Sequence, residues 1–119
     1  MRNEKSEFIE KLKRRTKQLA VDIIVFYDKI KKTDATRVIG RQLIRSATST
    51  AANYRAACVA RSQKEFFSKM SIVVEEADET LFWLEMLRDT KFASKDQLQP
   101  LMDENLEILK IVSKARKNT

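Results

Sequence analysis

Residues 62–91 read SQKEFFSKMSIVVEEADETLFWLEMLRDTK. The opening Ser62-Gln63-Lys64-Glu65 has the form of a capping box, in which the Ser side chain accepts from the third helical amide and the Glu reaches back. Apolar side chains then recur at Phe66, Met70, Val73, Ala77, Leu81 and Leu84. Spacings of three and four residues put them on one face of an α-helix. A long amphipathic helix is the expected outcome, and it needs partners to cover its stripe.

The same period extends outward on both sides. Upstream, Asp34 is the expected N-cap of a segment carrying Ile39, Leu43, Ala47, Thr50, Tyr54 and Cys58 on one face. Before it, Phe8, Leu12, Leu19, Ile23, Phe26 and Ile30 share a stripe with one gap at Thr16. Downstream, Ser94-Lys95-Asp96-Gln97 forms a second capping box, followed by Leu98, Leu101, Met102, Asn105, Leu109 and Val112. Pro100 removes an amide there and is expected to kink or delay the first turns. The links Lys32 to Asp34, Ala60 to Ser62 and Lys91 to Ser94 are short, which makes neighbouring helices antiparallel. The expected fold is all-α, an antiparallel up-down-up-down four-helix bundle in one domain, residues 1–119. Its helices span about 5–32, 35–60, 63–91 and 95–115, with a frayed polar tail from Lys114 to Thr119.

Composition narrows function. The 119 residues include 24 Lys and Arg against 17 Asp and Glu, with one Gly, one Pro, one Cys and no His. No glycine-rich nucleotide loop can be written from one Gly. Without His there is no Ser-His-Asp or Cys-His catalysis and no His metal site, including the Glu-x-x-His di-iron bundle. Cys58 has no thiol partner within the chain, and on an apolar face it reads as a small buried side chain. No segment resembles a signal peptide or approaches the roughly 20 apolar residues of a membrane span, so the expected location is the cytoplasm, with no membrane partner. No cofactor and no metal are expected.

The net charge of +7 is unevenly spread. Residues 1–32 have ten basic and five acidic side chains, and residues 33–61 have five and one; residues 62–91 reverse the balance with four and seven. Lys11, Lys13, Arg14, Arg15 and Lys17 form the densest positive block, and Arg37, Arg41, Arg45 and Arg55 line the second helix opposite its apolar stripe. Guanidinium and ammonium groups at such spacings suit successive phosphates, so RNA or DNA is the candidate partner. A solvated or salt-bridged face is the plain alternative. No exposed aromatic is interleaved for single-strand stacking, and no helix-turn-helix or zinc-finger module is present. The third helix carries a second stripe, Ile72, Glu76, Glu79, Trp83 and Met86, expected at a subunit interface. Glu75, Glu76, Asp78 and Glu79 lack a matching carboxylate-rich helix, which argues against a metal enzyme. Gly40 reads as room for a neighbouring backbone.

A run of local motifs extends through the middle of the chain. Gln42-Leu43-Ile44-Arg45-Ser46, Ala52-Asn53-Tyr54-Arg55, Ala60-Arg61-Ser62, Glu65-Phe66, Ile72-Val73, Glu76-Ala77-Asp78-Glu79-Thr80 and Trp83-Leu84-Glu85 occur in order. Together they resemble the bacterial four-helix-bundle proteins encoded in ribosomal RNA intervening sequences. Many members of that family read Glu-Gly where this chain has Ala56-Ala57, which makes it resemble a variant subgroup. The resemblance implies a homo-oligomer, typically a pentameric ring, with no enzymatic activity. Related basic bundles accompany the reverse transcriptases of diversity-generating retroelements, which implies nucleic acid, a reverse transcriptase or another protein as partner. The function expected is thus a non-enzymatic homo-oligomeric bundle binding RNA or DNA without sequence preference through its first two helices. The alternative is a protein-binding adaptor with no nucleic-acid role.

Overall fold

The computed structural model describes residues 3–118. They form four helices: α1 Glu4–Lys29, α2 Asp34–Ala57, α3 Gln63–Asp89 and α4 Lys95–Lys117. Met1, Arg2 and Thr119 lie outside the described residues. Each helix begins at a side-chain cap, because the first amides of a helix have no intrahelical acceptor. Asn3 accepts from the Ser6 amide at 2.8 Å, and Ser62 accepts from the Glu65 amide at 3.0 Å. At α4, Ser94 and Gln97 form a full reciprocal box.

Four details differ from what the sequence leads one to expect. The α2 cap is Thr33, boxed with Thr36, and Asp34 is the first helical residue, where its charge favours the helix dipole. At α3 the box is half made: Glu65 turns to the Arg61 amide instead of the cap amide. Helix α4 starts at Lys95 despite Pro100, so the first turns are not delayed. Helix α1 ends short of Lys32 because Ile30 is extended (ψ 158°), and the Lys32 ammonium donates to the carbonyls of Tyr27 and Ile30, both at 2.6 Å.

The helices run antiparallel around one core. Tyr27 near the end of α1 meets Gly40 near the start of α2, while Lys13 and Arg14 sit beside Ala52 and Arg55 further along it. Likewise Arg15 reaches Glu104 on α4, and Phe26 lies beside Gln97 at the opposite end. Contacts join α1 to α2, α2 to α3, α3 to α4 and α4 to α1; the α2–α3 seam is the most extensive and α1–α4 the sparsest. Leu12, Ile23, Leu43, Met70, Val73, Leu84, Leu87, Leu98, Ile108 and Val112 fill the interior. The α3 and α4 stripes are rotated slightly from expectation: Leu84 and Leu87 are fully buried where Leu81 is half-buried, and Ile108 takes the place of Leu109. Phe8 is 50% exposed and leaves the α1 stripe, whereas Thr16 fills its gap in the core by returning its hydroxyl to the Leu12 carbonyl.

Small and polar residues close the seam. The Ser46 and Thr80 hydroxyls lie 2.9 Å apart across α2 and α3, and each also reaches a carbonyl of its own preceding turn. Asn105 of α4 donates to the Ala77 carbonyl at 3.0 Å. These buried groups are therefore satisfied, as burial requires. Gly40 accommodates a ring instead of a backbone: a Cβ there would sit 2.1 to 2.6 Å from Tyr27 ring atoms. The Lys32 ammonium caps that ring at 4.4 Å from its centroid.

Candidate nucleic-acid interface

The cationic residues singled out in the sequence fall into two groups. Arg15, Arg45, Lys13 and Arg37 meet carboxylates. Arg15 grips Glu104 of α4 with two bonds, Nε to Oε2 at 2.9 Å and a terminal nitrogen to Oε1 at 2.7 Å. The Glu104 bond also holds the Arg15 proton more tightly than usual. Arg45 bridges α2 to α3, donating to Glu76 at 2.8 Å and to Glu79. The indole N–H of Trp83 adds a bond to Glu79 at 3.1 Å. Trp83 and then Arg45 hold the Glu79 carboxyl below its usual pKa, since both stabilise the anion. Lys13 meets Glu10 at 3.2 Å, and Arg37 lies 3.9 Å from the exposed Asp34.

Lys11, Arg14, Lys17, Arg41 and Arg55 are exposed and make no hydrogen bond or ion pair among the described residues. Helix geometry explains the split on α2. At 100° per residue Arg45 stands about 80° from Arg37 and Arg55 around the axis, so it leans toward α3 while Arg55 leans toward α1. One stripe in sequence therefore serves two neighbours.

Helix α1 brings the free cations together. On one flank, a groove of about 580 Å³ between α1 and α2 is lined by Lys13, Arg14, Lys17 and Arg55 over a floor of Ala51 and Ala52. Glu10 is its one carboxylate. On the other flank, a groove of about 610 Å³ between α1 and α4 is lined by Lys11, Arg14, Arg15 and Lys17, with Glu104 as its carboxylate. Small floor residues let the long cationic side chains stand clear, a consequence of the Ala-rich middle of α2. Thr48 lines the first groove too, although its hydroxyl is occupied by the Ile44 carbonyl at 2.7 Å. Arg41 lines neither groove.

The second stripe of α3 is divided as well. Ile72 is exposed, Glu76 and Glu79 lie under Arg45, and Trp83 and Met86 pack against the core. Phe82, 49% exposed, meets Trp83 edge-on with centroids 4.9 Å apart. Exposed apolar side chains also stand on α1 at Val21, Ile24 and Val25. Among the described residues, no group of three His, Cys, Asp or Glu side chains could hold a metal ion. None of the helices is long and apolar enough to cross a membrane. Cys58 is half-buried beside the Tyr54 hydroxyl, and burial is the main reason both pKa values are raised. That suppresses the thiolate a nucleophile needs.

The role of Glu104 is not visible in the sequence, although the antiparallel order supplies a signal: residues near 15 and 104 sit at the same level of adjacent first and last helices. Val21 and Ile24 as groove walls likewise emerge only from the fold.

The model of the 23S rRNA-intervening sequence protein family matches residues 6–114. A crystal structure of a protein of unknown function of the S23 ribosomal protein family, from Bacteroides thetaiotaomicron, superposes with a TM-score of 0.82. That protein is 31% identical, over 92% of this chain and 97% of its own. No curated protein sequence matches significantly.

Proposed function

From a chain that belongs to the 23S rRNA-intervening sequence protein family, and from the cations its bundle leaves unpaired, we propose a non-enzymatic, homo-oligomeric protein that binds nucleic-acid backbones. The observation that carries the reading is the convergence of Arg14, Lys17 and Arg55 on one groove without a carboxylate partner. A cation neutralised by the fold gains little from a phosphate; an unpaired one releases the counterions that the phosphate holds. This favours Lys11, Arg14, Lys17 and Arg55 as ligand contacts and gives Arg45 a structural task. The grooves offer cations and small apolar side chains rather than a base-reading module, so binding is to the backbone and independent of sequence. Self-association would use the exposed apolar side chains, with Ile72 and Phe82 on α3 the first candidates. Cytoplasmic location belongs to the same proposal.

The test is binding of RNA and DNA at several salt concentrations, with mass in solution measured in parallel. Affinity should fall as salt rises. Replacing Arg14, Lys17 and Arg55 with Gln should reduce the log–log slope by about 0.7 to 0.9 for each phosphate no longer neutralised. Absence of binding by the parent near physiological salt would overturn the reading. A protein partner is the second reading, favoured by Val21 and Ile24, which line the same groove and are each 43% exposed.

A further inference from the structure

We infer that α1 is a ridge that lies between the two phosphate backbones of a duplex, gripping both, rather than one wall of a channel for a single strand. The inference rests on the nucleic-acid reading above and adds the form of its ligand. Grooves of similar size run along both flanks of α1, about 580 Å³ toward α2 and about 610 Å³ toward α4. Arg14, Lys17 and Val21 line both, so the middle of α1 stands proud between them. Each flank adds a free cation of its own: Arg55 on the α2 side and Lys11 on the α4 side.

Dimensions agree with that arrangement. A helix with its side chains is about 10–12 Å across, and the major groove of B-form DNA is about 12 Å wide. A ridge of that width, flanked by two cationic grooves, suits two parallel rails of phosphate. The A-form duplex has a deep, narrow major groove but a wide, shallow minor groove, so RNA would meet α1 on the latter. The shared ligand chemistry is a pair of backbones held apart by base pairing.

A single strand has less to hold. Sequence-independent single-strand sites stack bases on aromatic side chains. No aromatic lines either groove, and the exposed Phe8, Phe67, Phe82 and Phe92 all lie outside them. Gln18, the one amide side chain in these linings, donates to Asp22 at 2.8 Å.

The experiment compares a DNA duplex, an RNA duplex and single strands of equal length, across salt, for the parent, Lys11→Gln, Arg55→Gln and Glu104→Gln. Both substituted cations are exposed and unpaired, so melting should stay at the parental temperature. At least one duplex should bind more tightly than its single strands. On that duplex, Lys11→Gln and Arg55→Gln should each lower the salt slope by up to about 0.9, and their double variant by the sum. Glu104→Gln, which removes the carboxylate from the α4 flank, should bind more tightly than the parent. DNA against RNA preference then identifies which groove α1 occupies. Single strands bound as tightly as both duplexes, or a slope altered from one flank only, would overturn the ridge and leave backbone binding standing. No binding to any of the probes would overturn both.

Discussion

Arg45 and Arg55 stand on the same outward side of α2, yet one is consumed by the fold and the other is left to solvent. The α2–α3 seam around Arg45 is tight and internally satisfied, with Glu76, Glu79, Trp83, Ser46 and Thr80 all bonded across or along it. The flanks of α1 around Arg55 are the reverse: open grooves, unpaired cations and exposed Val21, Ile24 and Val25. A tally of arginines therefore misjudges this surface. What matters is which helix each one leans toward, and whether that neighbour is acidic. With seven acidic residues in the 62–91 stretch that forms α3, a guanidinium facing it is neutralised within the chain.

The contrast can be broken most forcefully from the core. Leu84→Ala, at a fully buried position, should cost roughly 2–5 kcal/mol in chemical denaturation. Leu81→Ala, at a half-buried one, should cost distinctly less. Equal costs would show that the facing of α3, and with it the seam, is misplaced.

Gly40 offers the next test. In a helix interior, Gly to Ala ordinarily gains about 0.5–1 kcal/mol. Here the added methyl would overlap the Tyr27 ring, and overpacking typically costs about 1–3 kcal/mol. Gly40→Ala should therefore lower the melting temperature, and Tyr27→Ala in the same chain should abolish that penalty. A rise in melting temperature for Gly40→Ala alone would mean that the ring swings aside freely.

A smaller effect is expected at the seam's charged edge. Glu79 has a lowered folded pKa, so its contribution is present above its ordinary value of about 4.5 and is lost as pH falls through the folded value. Glu79→Gln should remove that part of the acid dependence of stability. Arg45→Gln should cost up to about 1 kcal/mol at neutral pH, the range of partly exposed ion pairs. If the acid limb of the melting curve is the same in parent and Glu79→Gln, the bridge is not formed in solution. Arg55→Gln should change stability least, by within about 0.5 kcal/mol.

Helix number and antiparallel order are legible in the sequence because periodic stripes, capping Ser residues and short links all point the same way. The ends are less legible. Thr33 takes the cap from Asp34 because its hydroxyl accepts from the Thr36 amide while its own amide donates to the Thr36 hydroxyl, a preference visible only once both are placed. A stripe drawn at spacings of three and four drifts by a residue over a long helix, which is why Thr80 and Ile108 take the core places drawn for Leu81 and Leu109. The candidate interface is legible as a basic block on α1, but its division is not. Arg15 meets Glu104 eighty-nine residues away, and Arg45 meets α3; such pairings depend on which helices become neighbours.

Whether the arginines of α2 divide their tasks in this way, Arg45 to the fold and Arg55 to the ligand, is decided by one pair of variants. Salt-dependent duplex binding and thermal melting are measured for Arg45→Gln and for Arg14→Gln/Lys17→Gln/Arg55→Gln. The triple variant should melt like the parent and lose about two to three units of salt slope. Arg45→Gln should melt earlier and keep the parental slope. An Arg45→Gln variant that loses slope without losing stability, beside a triple variant that binds like the parent, would contradict the division.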